Sequence, residues 1–146
     1  MTRLYKAVIE LPPDLGHVVK KNNRPIFRGR IGKGPRLRKA EAYLVEAMHR
    51  EKIGITAVMG PIDQFIQAKF TFYFPRDKVY TKKGQVSKHL PDLSNLYELP
   101  QDCLTKAKVI QDDRLIQSHD GSRIKVSSKG KYYLDIELYS FKPEFT

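Results

Sequence analysis

Asp92, Asp112 and Asp113 are the side chains of this chain best suited to chemistry. Two adjacent carboxylates, with a third earlier in the stretch PDLSNLYELPQDCLTKAKVIQDDRLI, stand in a protein whose formal net charge is +11 at pH 7. Gathered negative charge works against that overall field, and a hard cation held against a phosphate gives it a reason. Magnesium keeps several waters, so one or two carboxylates and a substrate phosphate make a sufficient site. An ion placed there polarises a phosphodiester and lowers the pKa of water, which is nuclease chemistry. Each acid also has an ordinary structural role. Asp92 after Pro91 can cap a helix, and paired Asp residues often form a turn before a strand. Asp102 reads as a first-turn charge and Asp120 as a turn residue.

The positive charge is concentrated. Residues 20–39, KKNNRPIFRGRIGKGPRLRK, carry nine Lys or Arg and no acid, whereas the rest of the chain has eighteen basic residues against sixteen acidic ones. Gly29, Gly32, Gly34, Pro25 and Pro35 in the same segment predict an irregular loop. Such a loop suits a phosphate backbone, because each phosphate neutralised releases counterions and Gly lets the main chain come close. The candidate nucleic-acid contacts are Lys20, Lys21, Asn22, Arg24, Arg28, Arg30, Lys33, Arg36 and Arg38. Lys82, Lys83 and Lys88 join them from a second basic loop or ribbon at residues 75–90.

Other chemistries find less support. The single cysteine, Cys103, excludes an internal disulfide and a Cys-based zinc cage, and its amphipathic setting predicts core packing. His17, His49, His89 and His119 form no pair at metal-ligand spacing, and only His119 lies near the acids in sequence. No apolar run has the shape of a signal peptide or the roughly 18 residues of a membrane span, so a cytoplasmic protein with no membrane partner and no small-molecule cofactor is expected.

These residues need a frame. At 146 residues one domain is expected, large enough for a single core. Leu4 to Leu11 reads as a strand ended by Pro12 and Pro13. Ala40, Tyr43, Leu44, Ala47 and Met48 repeat at helical spacing from Lys39, with Glu41, Glu46, His49 and Arg50 on other faces. Ile66, Ala68, Phe70, Phe72 and Phe74 alternate with polar or Tyr residues as in a strand with one buried face. Leu96, Leu99, Cys103, Leu104 and Ala107 predict a second helix, either kinked at Pro100 or started there after a short turn at 94–98. Asp120-Gly121 predicts a tight hairpin, and a turn at Lys129-Gly130 leads into a last strand over 132–141.

The motif P-D-L-S-N-L at 91–96, followed by a helical stretch and V-I-Q-D-D-R-L-I at 109–116, resembles the RusA family of Holliday junction resolvases. VVKKNNRPIF, from residue 18, resembles the family's Lys-Lys-Asn segment, so the likeness runs from about residue 4 to the C-terminus. The resemblance implies a small α+β fold, a mixed sheet packed with about two main helices, acting as a homodimer. It implies dependence on Mg2+, with Mn2+ as a substitute, and paired nicks in four-way DNA junctions during recombination and repair. Carried over by residue, the first family aspartate falls on Asp92 and the last on Asp113.

Two positions depart from the family pattern. Ser94 stands where a second aspartate is usual, and Glu98 where a functional lysine is usual. Glu98 is then a candidate replacement carboxylate, within reach of Asp92 across a helical turn and its cap, and Asp112 is a further one. The missing cation has Lys88, Arg123 or Lys125 as candidate sources. Tyr97 and the Phe stripe read as core, with base stacking at an opened junction as the alternative for Tyr73, Tyr80 and Tyr97. The expected site is thus Asp92, Asp113, Asp112 and Glu98, the first three as metal ligands. The competing expectation is a protein that binds junctions, or nucleic acid more generally, and cuts poorly or not at all.

Overall fold

The protein is described from a computed structural model covering residues 1–16, 26–27, 30–31, 34–51 and 60–144. Strand β1 (Arg3–Leu11) alternates exposed or half-buried side chains with buried Tyr5, Ala7 and Ile9, as the period of two requires. Two short strands, β2 (Ile26–Phe27) and β3 (Arg30–Ile31), pair antiparallel within the basic segment. Helix α1 (Pro35–Arg50) starts earlier than expected, so residues 35–39 are helical and not loop. Pro35 occupies the first turn, where its fixed φ fits and its missing N–H had no intrahelical partner to lose. His49 and Arg50 in the last turn complement the negative end of the helix dipole.

Strand β4 (Ile66–Pro75) is the centre of the sheet. One helical turn, α2 (Arg76–Val79), follows it, and then a loop closed by Tyr80 pairing with Val86. A 3-10 turn at Leu93–Leu96 leads directly into α3 (Glu98–Lys106). The short-turn alternative therefore holds, with the helix starting two residues before Pro100. Pro100 remains in the first turn, where N–H groups lack intrahelical acceptors, so the interior penalty does not arise.

Strands β5 (Ile116–Ser118) and β6 (Arg123–Ser127) correct the hairpin expectation. They do not pair with each other. Both lie parallel to β4, β5 along its start and β6 along its end, while β7 (Tyr132–Ser140) is antiparallel to β4 and β1. The Asp120-Gly121 pair does turn the chain: Ser122 N donates to His119 O at 3.0 Å and Gly121 has φ +88, the left-handed conformation a type II turn needs. The turn joins two pieces of one edge. Ser122 Oγ bridges the gap between them, accepting from Phe70 N at 2.9 Å and donating to Ala68 O at 3.3 Å.

Helices α1 and α3 cover one face of the sheet. Phe72, Phe74 and Leu134 line a small shared cavity with Ala40, Leu44 and Leu99 there, and Phe70, Met48 and Leu104 are fully enclosed. Burying each such large side chain stabilises the fold by about 1.5–3 kcal/mol. Tyr5 fastens sheet to helix, its hydroxyl donating to Met48 O at 2.9 Å. Glu41, expected on a solvent face, is only 7% exposed and meets Lys106 Nζ of α3 at 3.1 Å. Cys103 is fully buried, as core packing requires. On the opposite face Lys6 bridges Asp135 and Glu137, and Lys69 also approaches Glu137.

Candidate metal and DNA site

The acids come from two stretches joined by α3. Asp92 precedes the 3-10 turn in an extended conformation, and its side chain makes no capping bond, so the cap expected of it is not made. It is exposed, as is Ser94 within the turn. The turn closes through Asp92 O, which accepts from Asn95 N at 3.1 Å. Glu98 is the first residue of α3, where a carboxylate favours the positive end of the dipole.

The end of α3 aims the second stretch. Lys108 N donates to Thr105 O at 3.1 Å and Val109 N to Leu104 O at 3.0 Å, the paired bonds of a Schellman motif. Lys108 takes the left-handed position at φ 63, normally a glycine site. Val109 and Ile110 then bury beside Leu104, and Ile62 grips them through bonds to Val109 and from Gln111. The chain emerges at Asp112.

Asp112 and Asp113 stand at the start of a 3-10 turn, Asp113–Leu115. Asp112 Oδ1 accepts from Arg114 N at 2.9 Å, and Arg114 Nε lies 3.6 Å from Oδ2. That backbone N–H holds the Asp112 carboxyl below the usual carboxylate range. The Asp113 carboxyl, within hydrogen-bond reach, and the Arg114 charge act the same way, against some desolvation. Asp113 is exposed. The turn role expected of paired aspartates is real, and it leaves two carboxyls adjacent and facing solvent.

Between the stretches lies an aromatic joint that periodicity did not reveal. His119, just past β5, stacks on Tyr97 with ring centroids 4.0 Å apart and planes 14° apart. Its Nε2 is 2.7 Å from Gln101 Oε1, and Phe70 lies 5.5 Å away. Burial pushes the imidazole pKa down, partly opposed by the Ala68 carbonyl, so the ring is neutral at neutral pH. Nδ1 is enclosed with no partner in hydrogen-bond geometry. Tyr97 is therefore half-buried packing, and Tyr73 likewise meets Tyr133 edge-on. Gln101 carried one legible signal: four residues after Tyr97, it lies on the same helical face.

Among the described residues no three of His, Cys, Asp and Glu gather into a group able to hold a metal. The pair Asp112 and Asp113 is what the structure brings together. Oxygen donors at a solvent-facing turn fit a hard cation that completes its shell with water and phosphate, and not a preformed protein cage.

The candidate DNA contacts divide. Lys20, Lys21, Asn22, Arg24, Arg28 and Lys33 lie outside the described residues, and Arg30 is described only as part of β3. Arg36 and Arg38 are exposed on the first turns of α1, and Arg36 Nε donates to Asp14 O at 2.7 Å. Lys82, Lys83 and Lys88 are exposed, the first two on a turn closed by Gly84 N donating to Thr81 O. Tyr80 supports that loop, with Arg76 5.4 Å above its ring. Among the described residues no helix is long and apolar enough to cross a membrane.

A mixed sheet backed by helices, with carboxyls on one turn and lysines on another, defines a small α+β protein. A family model for endodeoxyribonuclease RusA matches residues 18–137, and the chain belongs to that family. Membership implies Holliday junction resolvase activity, since the family acts on branched DNA junctions. The match spans Asp92, Asp112 and Asp113 together with the whole basic segment at 20–39. No curated protein matches the chain.

Proposed function

We propose that this chain is a magnesium-dependent, structure-selective endodeoxyribonuclease of the cytoplasm that resolves four-way junctions by paired nicks in recombination and repair. The observation that carries the reading is the side-by-side placement of the Asp112 and Asp113 carboxyls on an exposed turn. Asp113 and Asp92 are the proposed anchors of the ion, with Asp112 and Glu98 as further oxygen donors. Bound magnesium, or manganese in its place, supplies Lewis-acid polarisation of the scissile phosphate and a more acidic water. Arg114 N orients Asp112 and lowers its proton affinity, so that it stays ionised and able to donate oxygen. Arg36, Arg38, Lys82, Lys83 and Lys88 hold flanking phosphates, with the rest of the basic segment. Two coupled nicks need two sites, so the active form is a symmetric homodimer.

Ser94, and the lack of a three-acid group among the described residues, favour one second reading: a protein that binds junctions and cuts weakly. Incubation with a synthetic four-way junction separates the two. A nuclease nicks it in magnesium and not in chelator, whereas a binding protein retards it equally in both and leaves it whole.

A further inference from the structure

We propose that His119 is a positioning residue of the metal site, a clamp that sets the register between the two stretches carrying the carboxylates. This rests on the functional reading above. Asp92 and Glu98 flank Tyr97 on one stretch, and Asp112 and Asp113 open the other. Covalently they communicate only through α3 and the turn after it. His119 is a direct tie. It leaves β5, the strand that follows Asp113 and its turn, and lays its ring on Tyr97 at 4.0 Å. Its Nε2 then reaches Gln101 Oε1 at 2.7 Å, one helical turn beyond Tyr97. Phe70, 5.5 Å from His119 and 6.0 Å from Tyr97, forms a common floor under both rings.

Packing alone does not explain an imidazole here. Phenylalanine would fill the same space and stack equally well, without enclosing two ring nitrogens. What histidine adds is the directed bond to Gln101, which fixes both the rotation of the ring and its position along α3. Such a bond restrains the β5 end against the helix that carries Glu98. Groups bonded directly to metal ligands typically change metal affinity by 10–100-fold when removed, and a tie one residue further out is expected at the low end of that range.

The test uses His119→Phe, which keeps the stack, Gln101→Leu, which keeps the ring, and the double variant. Affinity for Mn2+ is measured on the free protein by electron paramagnetic resonance, beside the magnesium dependence of junction cleavage and metal-free junction binding. Each single change is expected to weaken Mn2+ binding about tenfold and raise the magnesium needed for half-maximal cleavage in step. The double variant should be no worse than either, because both remove one bond, and metal-free junction affinity should stay parental. A cleaving parent whose folded variants keep parental Mn2+ affinity, or whose losses multiply, overturns the inference alone. If His119→Phe does not fold, Gln101→Leu decides by the same readings. A parent that neither takes up Mn2+ nor cleaves overturns the functional reading and this inference with it.

Discussion

Gly16→Ala tests the packing from which the basic segment departs. A Cβ at position 16 would fall onto the Tyr132 ring, against Cγ and Cδ2, inside any tolerable contact. The ring has little room to retreat. Tyr132 is 4% exposed, pairs with Leu11 across the β1–β7 ladder and meets the Phe74 ring edge-on at 5.5 Å. Overpacking of this kind costs about 1–3 kcal/mol. A cost of about 2 kcal/mol lowers Tm by roughly 4–8 °C, at the 2–4 °C per kcal/mol of a chain this long. The assay is a double-mutant cycle by thermal and denaturant unfolding with Tyr132→Ala. That change alone costs about 3–5 kcal/mol, but it removes the obstructing atoms. In its background Gly16→Ala should be neutral, or stabilising by about 0.4–1 kcal/mol through the unfolded chain, giving a coupling of about 2–3 kcal/mol. Equal costs of Gly16→Ala in both backgrounds would refute the close approach.

Four further outcomes follow from the same geometry. Lys108→Gly relieves a left-handed residue at the end of α3 and should stabilise the fold by about 1 kcal/mol, read as a higher denaturant midpoint at unchanged slope. Lys82→Gln with Lys83→Gln should make the plot of log affinity against log salt shallower by about 1.8 for junction binding, with no change in sequence preference. The depressed pKa of His119 makes its contribution to stability complete above pH 6.5, the ordinary histidine value, and lost as pH falls from there through the folded value. The unfolded chain takes the proton first, so thermal stability should drop on mild acidification, and His119→Phe should remove that component. Ser94→Asp should lower the magnesium needed for cleavage and Glu98→Ala should raise it; a harmless Glu98→Ala would show that Glu98 does not stand in for the missing acid.

Much of the fold was legible because its periodic segments are long. The alternation from Ile66 to Phe74, and the Leu96, Leu99, Cys103, Leu104 and Ala107 stripe, each name a buried face without outside help. What escaped depends on pairings between distant residues. Asp120-Gly121 gives the same local signal for a hairpin and for a type II turn, and only β4, some fifty residues earlier, selects the second by taking β5 and β6 as parallel partners. Glu41 was placed off the apolar face by helical spacing alone; it is buried because Lys106 reaches it from the other helix, a pairing that no local pattern shows. In the site, the adjacency of Asp112 and Asp113 was visible directly. Their relation to Asp92 depends on the turn at Lys108 and the joint at His119, neither of which has a periodic signature.

The central claim is that the Asp112–Asp113 turn holds the ion that cleaves DNA. The most direct measurement is the single-turnover rate at which Asp113→Asn cleaves a synthetic four-way junction in magnesium, beside the parental protein. Asparagine keeps the size of the side chain and removes the charge, so folding and junction binding should survive. Cleavage should fall at least about a hundredfold, equivalent to about 2.7 kcal/mol of transition-state stabilisation. Cleavage at the parental rate would contradict the account.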